Sequence, residues 1–288
     1  MQQQAVKLTA IQIISSDCID HNFAQITAQL NRLPALTSGQ QHLVLLPENA
    51  LCFANRTHYL EVAEVLGCGP VQKRLSALAR EYQCTLVCGS FPIQSQQSDK
   101  IYTTSLVYSA QGELISHYHK MHLFDADVAD SQAVYRESDT FIPGQEIQVV
   151  DCGFATLGLA ICYDLRFPAL FQQLVEAGAE VILLPAAFTK VTGEAHWQPL
   201  LQARAIETQC YFVAANQGGE HFVNHAEFAP RSTYGHSMII DPWGEILAQT
   251  TFGNEVVQAN FEREHLQTIR QKMPVQQHSR FICTQKNK

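Results

Sequence analysis

The segment Leu157–Pro168 reads LGLAICYDLRFP. An apolar run, LGLAI, has the length and composition of a strand covered on both faces. It delivers Cys162 directly into a polar turn, YDLRFP, that holds Tyr163, Asp164 and Arg166. A second apolar run, EVILLP (180–185), follows after a helix-like stretch over about 168–177 that ends at Gly178, a good C-cap. Strand, helix and strand in that order define a parallel crossover. The thiol therefore stands at the carboxyl end of a buried strand, where open α/β folds collect their ligands.

The same alternation runs outward in both directions. Upstream, VKLTAIQII (6–14) reads as a strand. Phe23, Ile26, Leu30 and Leu33 then fall at helical spacing over 20–33. HLVLLP (42–47) is a strand, 70–82 is a helix with Val71, Leu75, Leu78 and Tyr82, and CTLVCGSF (84–91) is a further strand. TSLVYSAQGELISHYH (104–119) forms a hairpin around AQGE, and IQVVDCGFATLGLAI (147–161) forms another around Asp151 to Gly153. Downstream come a helix over about 196–209, a strand YFVAANQ (211–217), a hairpin SMIIDPWGEILAQT (237–250), a strand at 255–261 and a helix at about 262–272. The two halves share an element order, and hairpins mixed with crossovers imply mixed sheets under helices. One domain over 1–275 is expected, followed by an extended C-terminal arm over 276–288.

Composition narrows the function classes. The chain has 288 residues, 46% hydrophobic and only 16% charged, with a formal net charge of -8. That balance argues against a nucleic-acid partner, which needs a dense basic surface. No secretory signal pattern and no membrane-length apolar run is present. Nine scattered cysteines, an odd number, do not read as a disulfide framework and fit reduced thiols in the cytoplasm.

Three reactive residues follow apolar strands immediately: Glu48 after LVLLP, Lys120 after LISHYH and Cys162 after LGLAI. Their chemistry is complementary. A carboxylate takes a thiol proton, and an ammonium stabilises a developing oxyanion. Together they suffice for acyl transfer through a thioester with no metal. Each also has a plainer reading: Cys162 as a small buried hydrophobe, Glu48 as a helix cap, Lys120 as a solvated strand-end lysine. A metal site is a rival, because Cys84 and Cys88 are four apart and His117, His119 and His122 cluster, but no second cysteine pair has zinc-finger spacing. A non-enzymatic scaffold is the other rival.

LLPENA, HKMHLFD and GLAICYDLRFP together resemble the glutamate, lysine and cysteine segments of the nitrilase superfamily of carbon–nitrogen hydrolases, over about residues 6–280. The resemblance implies a four-layer α-β-β-α sandwich with mixed sheets, extended across a homodimer, and no cofactor. It implies Cys162 as nucleophile, Glu48 as general base and Lys120 as oxyanion holder, with the Tyr163 N–H beside it. YRESDTFIPG would supply Glu137 as a second glutamate that holds Lys120; its alternative is an ion pair with Arg136. CYDLRFPAL, AAFTKVTGEAHWQPLLQARAIETQCY and STYGHSMIIDPWGEILA resemble the small-amidase branch. That branch implies a 2-oxo acid amide as substrate. Deaminated glutathione, cleaved to 2-oxoglutarate and cysteinylglycine, is the first choice; 2-oxoglutaramate or an N-carbamoyl amino acid is the alternative. Arg166 suits the substrate carboxylate because its planar fork makes two hydrogen bonds, with Phe188 and Thr192 beside it. The alternatives are an Arg166–Asp164 ion pair, core packing for Phe188 and a turn hydroxyl for Thr192. Asn49, Ala50 and Leu51 after the base, and a long loop over 217–232 with His221, His225 and Arg231, depart from the family pattern and border the expected site.

Overall fold

Side chains along Val6–Gln12 alternate between two cores, and this alternation sets the layer order. Leu8 and Ala10 enter one cluster, while Ile11 and the following Ile13 enter another. The neighbouring strand Gln41–Leu45 repeats the division, with Leu43 and Leu45 on the first side and Val44 and Leu46 on the second. In this computed structural model, which describes residues 6–34, 37, 39–97, 99–130, 132–221 and 231–284, the first cluster lies between two sheets and continues through the second of them to the helices on its far face. The second lies between a sheet and its helices.

The first sheet runs Glu255–Phe261, Val6–Gln12, Gln41–Leu45, Thr85–Val87, Ile101–Tyr108, Phe91–Gln94, with Leu114–His119 also paired to Ile101–Tyr108. The Val6–Gln12, Gln41–Leu45 and Thr85–Val87 strands are parallel, and the remaining pairs are antiparallel. The second sheet runs Ile246–Gln249, Met238–Ile240, Tyr211–Asn216, Val181–Ala186, Thr156–Leu159, Gln148–Asp151, again with a parallel centre and antiparallel edges. Helices Ile19–Leu30 and Pro70–Glu81 cover the first sheet through Phe23, Ile26, Leu30, Val71, Leu75 and Leu78. Helices Pro168–Glu176 and Lys190–Thr208 cover the second through Phe171, Leu174, Trp197 and Leu201. The result is the expected α-β-β-α sandwich. Each fully buried Leu, Ile or Phe in these clusters contributes about 1.5–3 kcal/mol. No helix among the described residues is long and apolar enough to cross a membrane.

Several boundaries differ from the sequence reading, each for a local reason. The segment 84–91 is not one strand. It is Thr85–Val87 and Phe91–Gln94, laid end to end along Ile101–Tyr108 and bent between them at Gly89. Gly89 has φ +77°, and a Cβ there would sit 1.9 Å from the Pro47 carbonyl oxygen. The bend lets the chain at Pro47 pass closely and turn Glu48 inward. The helix expected from about 196 begins at Lys190, because the Thr189 hydroxyl accepts the Thr192 N–H as an N-cap. Gly193 reads as a breaker, but Tyr234 packs where its Cβ would stand. Helix Arg56–Val62, capped by the Asn55 side chain, and the strand pair Asp125–Asp127 with Val134–Arg136 were not anticipated. The C-terminal segment contains a helical turn, Val275–His278, before it extends. Residues 222–230 of the 217–232 loop, His225 among them, lie outside the described residues; Glu220–His221 and Arg231–Ser232 pair across its base.

Candidate active site

Glu48 and Lys120 leave the first sheet and Cys162 leaves the second, so the face-to-face packing of the sheets brings the three together. Cys162 stands at φ +47°, a left-handed conformation that a non-glycine residue adopts only when its surroundings impose it. Asp164 imposes it. Its carboxylate is fully buried, and Oδ2 accepts the Ile161 N–H at 2.8 Å and the Tyr118 hydroxyl at 2.8 Å. Oδ1 accepts the His122 backbone N–H at 3.1 Å and lies 2.7 Å from His122 Nδ1. One carboxylate thus ties the Cys162 turn to the chain on either side of Lys120. The Asp164–Arg166 ion pair considered from sequence does not form.

The Lys120 ammonium is 2% exposed and donates to Glu48 Oε1 at 2.8 Å and to Glu137 Oε1 and Oε2 at 3.0 and 2.9 Å. Glu137 also accepts the Phe124 N–H at 2.6 Å, while Arg136 turns away to Asp127 at 2.8 Å. Glu48 is held from behind, where its backbone carbonyl accepts from the Gln217 side chain and the next residue, Asn49, donates its N–H to Ser90 Oγ. The Cys162 thiol opens into the same cavity, where the Glu48 carboxylate opposes its ionisation and the Lys120 ammonium and Ala187 N–H favour it. The turn Cys162–Arg166 makes its first bond from Asp164 N–H to Ile161 O, so the Tyr163 N–H precedes that ladder.

All eight residues singled out from sequence line one cavity of about 230 Å³: Glu48, Lys120, Glu137 and Cys162 with Tyr163, Arg166, Phe188 and Thr192. Arg166 bonds to His196 Nδ1 at 3.2 Å and lies over the Phe188 ring at 5.3 Å. Phe188 also packs on Trp197, and the Thr192 hydroxyl lies 2.9 Å from that of Thr189, so both have a structural partner as well as a place on the wall. Sequence reading did not single out Tyr59, Tyr135 or Arg56 on that wall, and no local pattern marks them. Arg231 was seen only as part of a bordering loop, but it lines the cavity too. His221 does not: it stacks on Phe53 at 3.9 Å and bonds to Ser15 O and Thr233 Oγ1. The rival metal set does not assemble. His117 and His119 are in ring contact, but His119 bonds to Thr104, His122 goes to Asp164, and no group of three metal-ligating side chains occurs among the described residues.

The electrostatics keep the resting thiol neutral. Two carboxylates and one ammonium leave the cluster with an excess negative charge. Burial, with Glu48 beside it, holds the Cys162 thiol well above its ordinary 9.0 despite Lys120. Burial alone would depress Lys120, but Glu137 and Glu48 hold it well above its ordinary 10.5. Burial also raises Glu137, partly offset by Lys120. The folded chain therefore keeps the Cys162 and Lys120 protons where the unfolded chain releases them. Their contribution to stability is complete below the unfolded values and falls as pH rises past 9.0 and then 10.5. Denaturant titrations from neutral pH to about 10.5 should show the unfolding midpoint fall above pH ~9, less steeply in Cys162→Ala. Equal slopes in the two proteins would contradict a buried neutral thiol.

Comparison with known proteins agrees with this geometry. The profile of the family described as carbon-nitrogen hydrolase matches residues 8–271. A protein of Yersinia enterocolitica named deaminated glutathione amidase is 47% identical over 275 residues, covering 95% of this chain and 93% of the relative. The Homo sapiens protein of the same name is 38% identical, covering 93% and 80%. Saccharomyces cerevisiae Nit3, described as a member of branch 10 of the nitrilase superfamily, superposes with a TM-score of 0.79 at 28% identity, covering 96% and 97%. The C. elegans NitFhit protein gives 0.84 at 32%, covering 97% of this chain and 66% of that one. With the family profile spanning nearly the whole chain, and close relatives aligned along most of their own length, this protein belongs to the carbon–nitrogen hydrolase family of the nitrilase superfamily.

Proposed function

We propose that the protein is an amidase that hydrolyses deaminated glutathione to 2-oxoglutarate and cysteinylglycine through a thioester on Cys162. The observation that carries this reading is that Cys162, Glu48, Lys120 and Glu137 line one cavity, with the Lys120 ammonium shared between Glu48 and Glu137. The relatives named deaminated glutathione amidase supply the substrate.

Glu48 takes the thiol proton as Sγ attacks the amide carbon, forming a C–S bond. The oxyanion is held by Lys120 Nζ and the Tyr163 N–H. On collapse the C–N bond breaks, and Glu48 returns the proton to the departing amine of cysteinylglycine. Water then attacks the thioester, giving up a proton to Glu48. The C–S bond breaks, 2-oxoglutarate leaves and the thiol recovers its proton. Glu137 keeps Lys120 charged and aimed. Arg166 takes the 2-oxo acid carboxylate, flanked by Phe188 and Thr192. The hydrolase domain is residues 1–275, and 276–288 is an arm. Nine free cysteines suit a reducing cytoplasm.

Cys162→Ala should abolish turnover while remaining folded. Lys120→Ala should lose at least about a hundredfold in kcat, the scale of one oxyanion donor. It should also lose roughly 3–5 kcal/mol of stability, because two buried carboxylates are left facing one another. A side-by-side assay with deaminated glutathione, 2-oxoglutaramate and an N-carbamoyl amino acid checks the substrate, and preference for the carbamoyl compound would overturn it.

A homodimer belongs to the same reading. Ile206 and Trp243, 47% and 61% exposed, flank Gly244 and present apolar surface. Sedimentation at micromolar concentration should give twice the chain mass; a monomer would contradict the pairing.

A further inference from the structure

Arg231 is a cavity cation that meets no carboxylate among the described residues. Its guanidinium lies between the Phe53 ring at 5.0 Å and the Tyr135 ring at 5.2 Å. One terminal nitrogen donates to the Ala187 carbonyl at 3.1 Å. Its Nε is buried with no hydrogen-bond partner, and no ion pair forms to it among the described residues. Of the other cavity arginines, Arg136 pairs with Asp127 and Arg56 donates to the Asp99 carbonyl, while Arg166, bonded to His196, is the one given the acyl-end carboxylate. A half-buried guanidinium beside two rings, with a buried donor left over, has no anion among the described residues.

Its surroundings differ from those of Arg166, though both line the same cavity. Arg166 packs on Tyr163 and Phe188, whereas Arg231 packs on Phe53 and Tyr135. Ala187 lines the cavity with Cys162, and its carbonyl accepts from Arg231. The guanidinium and the sulfur therefore open into one cavity. A dipeptide leaving group extends its carboxylate about 7 Å from the scissile nitrogen, away from the reacting carbon and toward the cavity wall.

We propose that Arg231 binds the carboxylate at the leaving-group end of the substrate, so that the site selects amides with an anion on each side of the scissile bond. This rests on the acyl-end role given to Arg166 in the proposed function. 2-Oxoglutaramate carries the acyl-end carboxylate alone, while deaminated glutathione carries both.

The test compares wild type, Arg231→Met and Arg231→Lys on three compounds: deaminated glutathione, the same compound with its terminal carboxylate as a glycinamide, and 2-oxoglutaramate. Wild type should prefer the free acid over the glycinamide by at least about tenfold in kcat/KM, as expected for a charged hydrogen bond. In Arg231→Met that preference should collapse toward unity, mainly through KM. The Met variant's loss on the free acid should exceed its loss on 2-oxoglutaramate by at least about tenfold, with Arg231→Lys in between. Equal losses on all three compounds would overturn the proposal, as would a preference that survives in the Met variant. If the Met variant does not fold, wild type alone decides, because indifference to the glycinamide also overturns it. A wild type inactive on all three compounds sinks the amidase reading and this proposal together. An active wild type without the preference sinks this proposal alone.

Discussion

One buried ammonium held by two carboxylates is the constraint on which the rest of the structure depends. Lys120 cannot be desolvated alone, and neither Glu48 nor Glu137 can be buried without it. Once the three meet, the net charge at that point is negative, and a thiol placed beside it stays protonated. A base must then act at the moment of attack, and Glu48, in the same cavity, is the carboxylate we propose for it. Charge balance, resting protonation and the order of proton transfers follow from a single arrangement.

Two sheets are needed to make it. Glu48 and Lys120 end strands of one, and Cys162 ends a strand of the other, so the shared apolar layer is what brings acid, base and sulfur together. Asp164 supplies the fine positioning. It grips the Ile161 N–H before the nucleophile and Tyr118 and His122 around the lysine, so movement of either segment strains the other. Gln217 works in the same way, reaching from the second sheet to the Glu48 carbonyl. The strained φ of Cys162 is supported by bonds on both sides of it.

Much of this was legible in the chain. Apolar runs of strand length ending at Glu48, Lys120 and Cys162 marked the site, because strand ends in such folds face the ligand. The helical spacing of Phe23, Ile26 and Leu30 and of Val71, Leu75 and Leu78 marked the outer layers. Other features had no local signature. The bend at Gly89 exists because the Pro47 carbonyl passes beside it, a contact between segments 42 residues apart. Asp164 read as a turn residue or a partner for Arg166; besides the nearby Ile161 N–H, its partners Tyr118 and His122 lie more than 40 positions upstream. Arg231 carries no motif, and its importance comes from what it lacks: an anion beside a desolvated donor.

The account stands or falls on a covalent bond to one sulfur. Intact-protein mass spectrometry of acid-quenched enzyme during turnover of deaminated glutathione, followed by peptide mapping, reads that bond directly. The account predicts one 2-oxoglutaryl group per chain, on the peptide containing Cys162, and none in Cys162→Ala. Full turnover in Cys162→Ala, or an acyl group on another of the nine cysteines, would contradict it.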